Sequence, residues 1–186
     1  MMIYITNSIV NQLYHRIQDE LFAMVNQHHW SIQPVKWTWT PVKTKYGMAD
    51  RQGIIYLNQL FKQTVYFELL EAVFRHEFAH LCVGLQQGHN TIFKQCEHRF
   101  KARFNAVAKQ QAIYFEQRID YKYLLVAELY RGDTIVLKKT HRKHRKYTNY
   151  CSRRHRCFYY QQQPIRQFRY ILIKDLSESF KIGAPI

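Results

Sequence analysis

Apolar residues recur at helical spacing across residues 8–29. Ile9, Leu13, Ile17, Leu21 and Val25 form one stripe, widened by Val10, Tyr14 and Phe22. Ser8 is an N-cap residue type and predicts the start of this helix. Residues 34–41, PVKWTWTP, alternate instead, with Val35, Trp37 and Trp39 on one face, which predicts a strand. A turn or loop around Gly47 follows. Residues 53–57, GIIYL, form a short β-branched and aromatic run that Asn58 ends. Residues 64–85 read as a second helix, carrying Val65, Phe67, Leu69, Leu70, Val73 and Phe74. It is apolar on most sides, as a buried central helix is. Gly84 and Gly88 bracket its end. Residues 90–104 predict a third helix with Phe93, Cys96, Phe100 and Phe104 along one side, and helical character runs on to about Ile119. After Tyr130 the pattern changes to short β segments, 134–137 and 169–173, separated by basic loops. The expectation is an α+β chain. A helical core with a small sheet occupies residues 1–125, and a small basic β-rich module occupies 126–186.

Charge sharpens this division. Residues 1–130 hold 14 Lys+Arg and 10 Asp+Glu, whereas residues 131–170 hold 12 Lys+Arg and one acid, Asp133. Among those cations stand Tyr147, Tyr150, Phe158, Tyr159 and Tyr160. Cations interleaved with rings suit a polyanion whose bases can stack, since Lys and Arg meet phosphates and rings meet bases. The candidate contacts are Lys138, Lys139, Arg142, Lys143, Arg145, Lys146, Arg153, Arg154 and Arg156. A solvated basic surface, an acidic protein or ribosomal RNA would satisfy the same charge.

The remaining composition mainly excludes. A hydrophobic share of 47% is not that of a disordered tail. No apolar run approaches the roughly 18 residues needed to span a bilayer, and the first residues lack a basic segment and cleavage site, so no secretory signal is expected. Four cysteines in 186 residues are too few for a disulfide scaffold. Six glycines, none in a phosphate-cradling pattern, give no support to a dinucleotide or P-loop site. The expected setting is a cytoplasmic monomer, associated with the nucleoid if it binds DNA, with no membrane partner.

The second helix contains HEFAH: His76, Glu77, Phe78, Ala79 and His80. Histidines at i and i+4 lie one turn apart on one face, so both imidazoles can reach one metal ion. Glu77 is offset and can approach a metal-bound water without replacing it. Zinc lowers the pKa of such a water towards ~7, and a carboxylate can take its proton during attack on a carbonyl. An unpartnered His-Glu-His cluster on so apolar a helix would be costly to bury. His89 follows just past the helix end, and three protein ligands plus water make the open site of a catalytic zinc. The extended metzincin pattern fails, because its downstream glycine and histidine positions hold Val83 and Gln86.

The stretch HEFAHLCVGLQQGHNTIFKQC resembles the SprT-like metalloprotease family, which includes the Spartan-type DNA–protein crosslink proteases. That family pairs an HExxH helix with a downstream Gly-His and a Phe-Lys or Trp-Lys on the next helix. Gly47-Met48-Ala49, then Ile54, Tyr56, Leu57 and Asn58, resemble the family's strand ending in Leu-Asn before the zinc helix. The resemblance covers roughly residues 10–105. It implies a zincin-like core, zinc ligands His76, His80 and His89, and Glu77 as general base and acid. It also implies a zinc endopeptidase acting on DNA-associated or DNA-crosslinked proteins, with DNA that is single-stranded or a duplex of single-stranded character as partner.

The C-terminal part departs from that family. A zinc ribbon needs two CxxC pairs. The first should fall near Leu129-Tyr130-Arg131-Gly132, which has no cysteine, and the second is at best YCSRRHRC. Cys151 and Cys157 with His144 or His155 could hold a second zinc, but free thiols in a basic β module are the simpler reading. One zinc, the catalytic one, is expected. Cys82 and Cys96 read as packing residues, and Trp37 and Trp39 as core anchors. The competing function is a non-catalytic zinc-containing nucleic-acid-binding protein, in which the basic segment is the working part.

Overall fold

In a computed structural model that describes residues 3–42, 44–152 and 157–176, the first stripe becomes helix α1, Asn7–Met24. Its cap is Thr6 rather than Ser8: Thr6 Oγ1 accepts from the Ile9 N–H at 3.4 Å. Val10, Tyr14, Ile17 and Leu21 form its buried row. The helix stops short of His29 because the chain turns to bury Trp30. The Trp30 indole donates to the Val25 carbonyl at 3.1 Å, stacks on Phe100 at 5.6 Å and meets Phe22 and Phe78 edge-on. Residues Gln27–His29 keep only a 3-10 turn.

Three strands follow: β1, Lys36–Thr40; β2, Gly47–Ala49; and β3, Ile54–Asn58. The order is β1-β3-β2, with β1 parallel and β2 antiparallel to β3. The expected loop at Gly47 is therefore an edge strand. Its three residues are too few to show alternation, and pairing with Ile55–Leu57 is what makes it one. Trp37 and Trp39 are half-buried rather than core residues. Their indoles donate to Asn11 and Asn7 of α1 at 3.4 and 2.8 Å.

Asn58, 1% exposed, closes this sheet. Its Nδ2 donates to the Val42 and Lys45 carbonyls at 3.0 and 2.9 Å, and its Oδ1 accepts from the Leu60 N–H at 3.0 Å. Asn58→Leu brings in a larger apolar side chain and leaves three half-buried backbone groups without this partner. It is expected to cost about 2–3 kcal/mol, measured as a lowered midpoint in urea unfolding.

Helix α2, Phe67–Val83, buries eleven of its seventeen residues and ends at Gly84. Helix α3 is Thr91–Arg99, capped by Asn90, and α4 is Ala106–Gln117, capped by Asn105. The continuous helix expected from residue 90 to Ile119 is thus two helices. Lys101 takes a left-handed conformation, φ 55°, and the Asn105 side chain accepts from the Ala108 N–H at 2.7 Å to start the second helix. Phe61, Phe74, Phe78, Phe93, Phe100 and Phe115 fill the core of this part.

The chain divides into two compact units, Met1–Ile119 and Asp120–Ile186. A boundary at 125/126 would cut β4, Tyr123–Leu129. That strand is bonded along its length to β5, Thr134–Thr140, on one side and β7, Gln163–Leu172, on the other, so it belongs wholly to the second unit. With β6, Tyr159–Tyr160, the antiparallel order is β5-β4-β7-β6. Short helices α5, Arg145–Thr148, and α6, Ile173–Leu176, complete it. Its core is Ala127, Leu129 and Ile165, with Ile135, Leu137, Tyr150, Tyr160 and Phe168 packed against them. The protein is therefore of mixed α+β class. Among the described residues no helix is long and apolar enough to cross a membrane.

Candidate metal centre

Helix α2 presents His76 and His80 one turn apart, with ring centroids 4.9 Å from each other. The chain then leaves the helix at Gly84, makes a 3-10 turn over Leu85–Gln87 and reverses at Gly88. Gly88 has φ 54° and ψ −129°, a conformation that side chains on Cβ disfavour. This reversal brings His89 back, its ring 5.2 Å from His76 and 5.0 Å from His80. One ligand nitrogen from each histidine lies within 4.8 Å of the others. His76 Nε2 and His89 Nε2 are 3.3 Å apart. Adjacent nitrogens around a tetrahedral zinc with ~2.0–2.1 Å bonds stand about 3.3 Å apart, so this pair already has the required spacing. Phe93 on α3 lies against all three rings, stacked on His80 at 4.2 Å and 5.0 and 4.9 Å from His76 and His89. Three imidazole nitrogen donors on an apolar floor fit zinc in donor type as well as in spacing.

Electrostatics favour that use. Burial lowers the pKa of His76 despite the nearby Glu97 carboxylate. Burial, and then the neighbouring His76, His89 and Lys45, push His80 down to about 4. Both are neutral at pH 7, the form that binds metals. Glu77 is 6% exposed. Burial pushes its carboxyl up to about 7, against the opposing pull of Lys45 and a hydrogen bond from the Ala49 N–H. A dication nearby would draw it back towards ionisation.

Glu77 and the three histidines line one cleft of about 530 Å³, bordered by Lys45, Val73, Leu85, Phe104 and strand β2. Gly47 is required where β2 crosses α2, because a Cβ there would stand 2.7 Å from Val73 Cγ1 and 3.3 Å from Glu77 Cγ. The four residues singled out in the HEFAH stretch and at His89 are therefore brought together.

Two residues of this site carry no signal in the motif. Lys45 reaches the cleft through the loop that Asn58 holds. Glu97 accepts from His76 Nδ1 at 2.9 Å, and its position one turn beyond Phe93 on α3 is the only sequence feature that could have pointed to it.

The basic module gathers less. Cys151 is exposed, and Cys157 is half-buried beside Tyr150 Oη and Ser152 Oγ at 3.7 and 3.6 Å. The His144 N–H donates to Tyr170 Oη at 2.9 Å. Among the described residues, Cys151, Cys157 and His144 do not form a ligand group. His155, Arg153, Arg154 and Arg156 lie outside the described residues. Lys138, Lys139, Arg142, Lys143, Arg145 and Lys146 are all exposed. Lys138 and Lys146 both sit 5.6 Å from the Tyr147 ring, Lys146 is 4.7 Å from Phe158, and Lys143 is 5.2 Å from Tyr123.

Set against protein-family models, curated proteins and solved structures, the chain matches none.

Proposed function

We propose that the chain is a zinc-dependent endopeptidase of the SprT-like type with a zincin-like core. The observation that carries this reading is the placement of Glu77 and three convergent imidazoles on a single open cleft. His76, His80 and His89 would hold the ion. Bound there, zinc supplies Lewis acidity towards a carbonyl and lowers the pKa of a coordinated water. Glu77, whose carboxyl burial raises to about 7, takes a proton from water and returns it to the leaving amine.

Strand β2 suits an extended substrate. The Tyr46 carbonyl and the Asp50 N–H both bond to β3. By alternation, Gly47 and Ala49 turn their backbone groups away from β3, where they line the cleft. The Ala49 N–H serves Glu77. The Gly47 N–H and C=O and the Ala49 C=O face the side on which a peptide could add as a further strand.

The exposed cations and rings of the second unit support contact with DNA of single-stranded character, which would bring DNA-associated or DNA-crosslinked proteins to the cleft by proximity. Purified protein is expected to carry one zinc per chain. It is expected to cleave casein or itself, to lose that activity on chelation, to regain it with zinc and to increase it with single-stranded DNA. Salt-sensitive DNA binding by fully zinc-loaded protein with no cleavage under any of these conditions would replace this reading with the non-catalytic one.

A further inference from the structure

We infer that Glu97 is a positioning residue: it holds His76 in the tautomer that carries its proton on Nδ1, so that His76 Nε2 meets the other two imidazoles with a bare lone pair. The tautomer follows from the contact between Glu97 and His76 and from the acceptor character of a carboxylate. Its consequence for metal binding rests on the reading of His76, His80 and His89 as ligands.

The argument starts from donor and acceptor types. An ionised carboxylate has no proton to give, so the 2.9 Å contact between Glu97 Oε1 and His76 Nδ1 requires the proton on nitrogen. The distance lies in the range of charge-assisted hydrogen bonds. The two side chains are only 21% and 27% exposed, so water competes weakly for either. An imidazole free in water prefers its proton on Nε2. The partner at the other nitrogen decides the matter in a folded protein, and here it decides for Nδ1.

The opposite side of the ring agrees. His76 Nε2 and His89 Nε2 are 3.3 Å apart. With His76 Nε2 bare, the proton in that contact belongs to His89. The result is a chain of two hydrogen bonds: Glu97 accepts from His76 Nδ1, and His76 Nε2 accepts from His89 Nε2. An arriving cation needs to displace only the His89 proton. His89 is exposed and can take up its proton at Nδ1 through solvent. His76 needs no rearrangement.

Helix α3 gives Glu97 the rigidity this role needs. The helix is capped by the Asn90 side chain, which accepts from the Phe93 N–H at 3.1 Å. Phe93, 1% exposed, anchors it under the three rings. Glu97 follows Phe93 by one turn, so a single helix supplies the floor of the site and the carboxylate that orients one ligand.

Long-range proton–nitrogen spectra of the metal-free protein, labelled at histidine, test the tautomer at a pH above the histidine range, with the His76 signals assigned by their loss in His76→Gln. His76 is expected as the Nδ1–H tautomer in the wild type. Glu97→Gln, whose amide oxygen still accepts, is expected to retain most of it. Glu97→Ala is expected to return His76 towards Nε2–H. Zinc affinity, read by competition with a chromophoric chelator, is expected to fall about 10–100-fold in Glu97→Ala and less in Glu97→Gln.

The inference is overturned if wild-type His76 carries its proton on Nε2. It is also overturned if Glu97→Ala binds zinc as tightly as the wild type while its metal-free form melts at the same temperature. If Glu97→Ala does not fold, Glu97→Leu, which also removes the acceptor, takes its place with the same expected and overturning results. A wild type that shows the Nδ1–H tautomer yet binds no zinc supports the positioning and sinks the metal reading instead.

Discussion

The Glu77→Gln protein is expected to bind zinc as the wild type does and to hydrolyse peptides roughly 10²–10⁴-fold more slowly. The substitution is close to isosteric, and the glutamine Oε1 can still accept the Ala49 N–H that now reaches the carboxylate. Burial also favours the change, since Glu77 is 6% exposed and a neutral amide is easier to bury than a charge. What disappears is the ability to take a proton from water and deliver it to an amine. The loss should therefore fall on kcat, with zinc content by metal analysis and KM for a peptide substrate little changed. Full proteolysis by zinc-loaded Glu77→Gln would remove this carboxylate from the mechanism.

Replacing Arg75 by Ala is expected to lower stability by about 3 kcal/mol, roughly 10 °C in melting temperature for a unit of this size. Arg75 is 6% exposed and sits one residue before His76. All five of its N–H donors are engaged. Nε and Nη2 donate to Glu71 Oε1 at 2.9 and 2.8 Å, Nη1 and Nη2 to the Glu20 carboxylate at 3.1 and 2.6 Å, and Nη1 to the Phe100 carbonyl at 3.1 Å. Removing it leaves those acceptors short of partners and opens a void between α1, α2 and the end of α3. The figure lies at the lower end for a buried ion pair, because the Glu20 and Glu71 side chains are each 32% exposed and water can reach them. Arg75→Lys should recover little, because an ammonium cannot reproduce the planar fork.

The same cluster sets a pH dependence. The hydrogen bond from Arg75 holds the Glu20 carboxyl below its ordinary 4.5. A depressed carboxylate contributes stability that is complete above its unfolded value and lost as pH falls through the folded one. The penalty of Arg75→Ala should therefore shrink in acid, measured by urea unfolding at pH 7 and below pH 4.

Helix α2 and its histidines were readable because local rules set them. An apolar helix fixes its own register, and the i, i+4 spacing of His76 and His80 survives any packing. The return of His89 was readable from Gly84 and Gly88, which mark a change of direction. The pairing of Glu97 with His76 spans 21 residues, and beyond its spacing from Phe93 nothing local distinguishes Glu97 from any other acid on an amphipathic helix. Strand β4, YLLVAEL, is ambiguous in the sequence for a related reason. A short continuous apolar run suits a buried strand and a buried helix equally, and the choice comes from β5 and β7 on either side. The break between α3 and α4 was visible in principle at Asn105, but the aromatic spacing that runs through Phe100 and Phe104 masked it.

The Arg75 clamp bears on how the histidine face of α2 would behave if the proposed zinc were removed. Guanidinium and carboxylates lock that helix from behind, and Phe93 props the imidazoles from below, none of them relying on a metal. Small zinc modules collapse when stripped because coordination is their folding energy; if the proposed zinc binds here, chelation is expected to leave this face of α2 in place. Loss and recapture of the ion would be a change of occupancy rather than of shape.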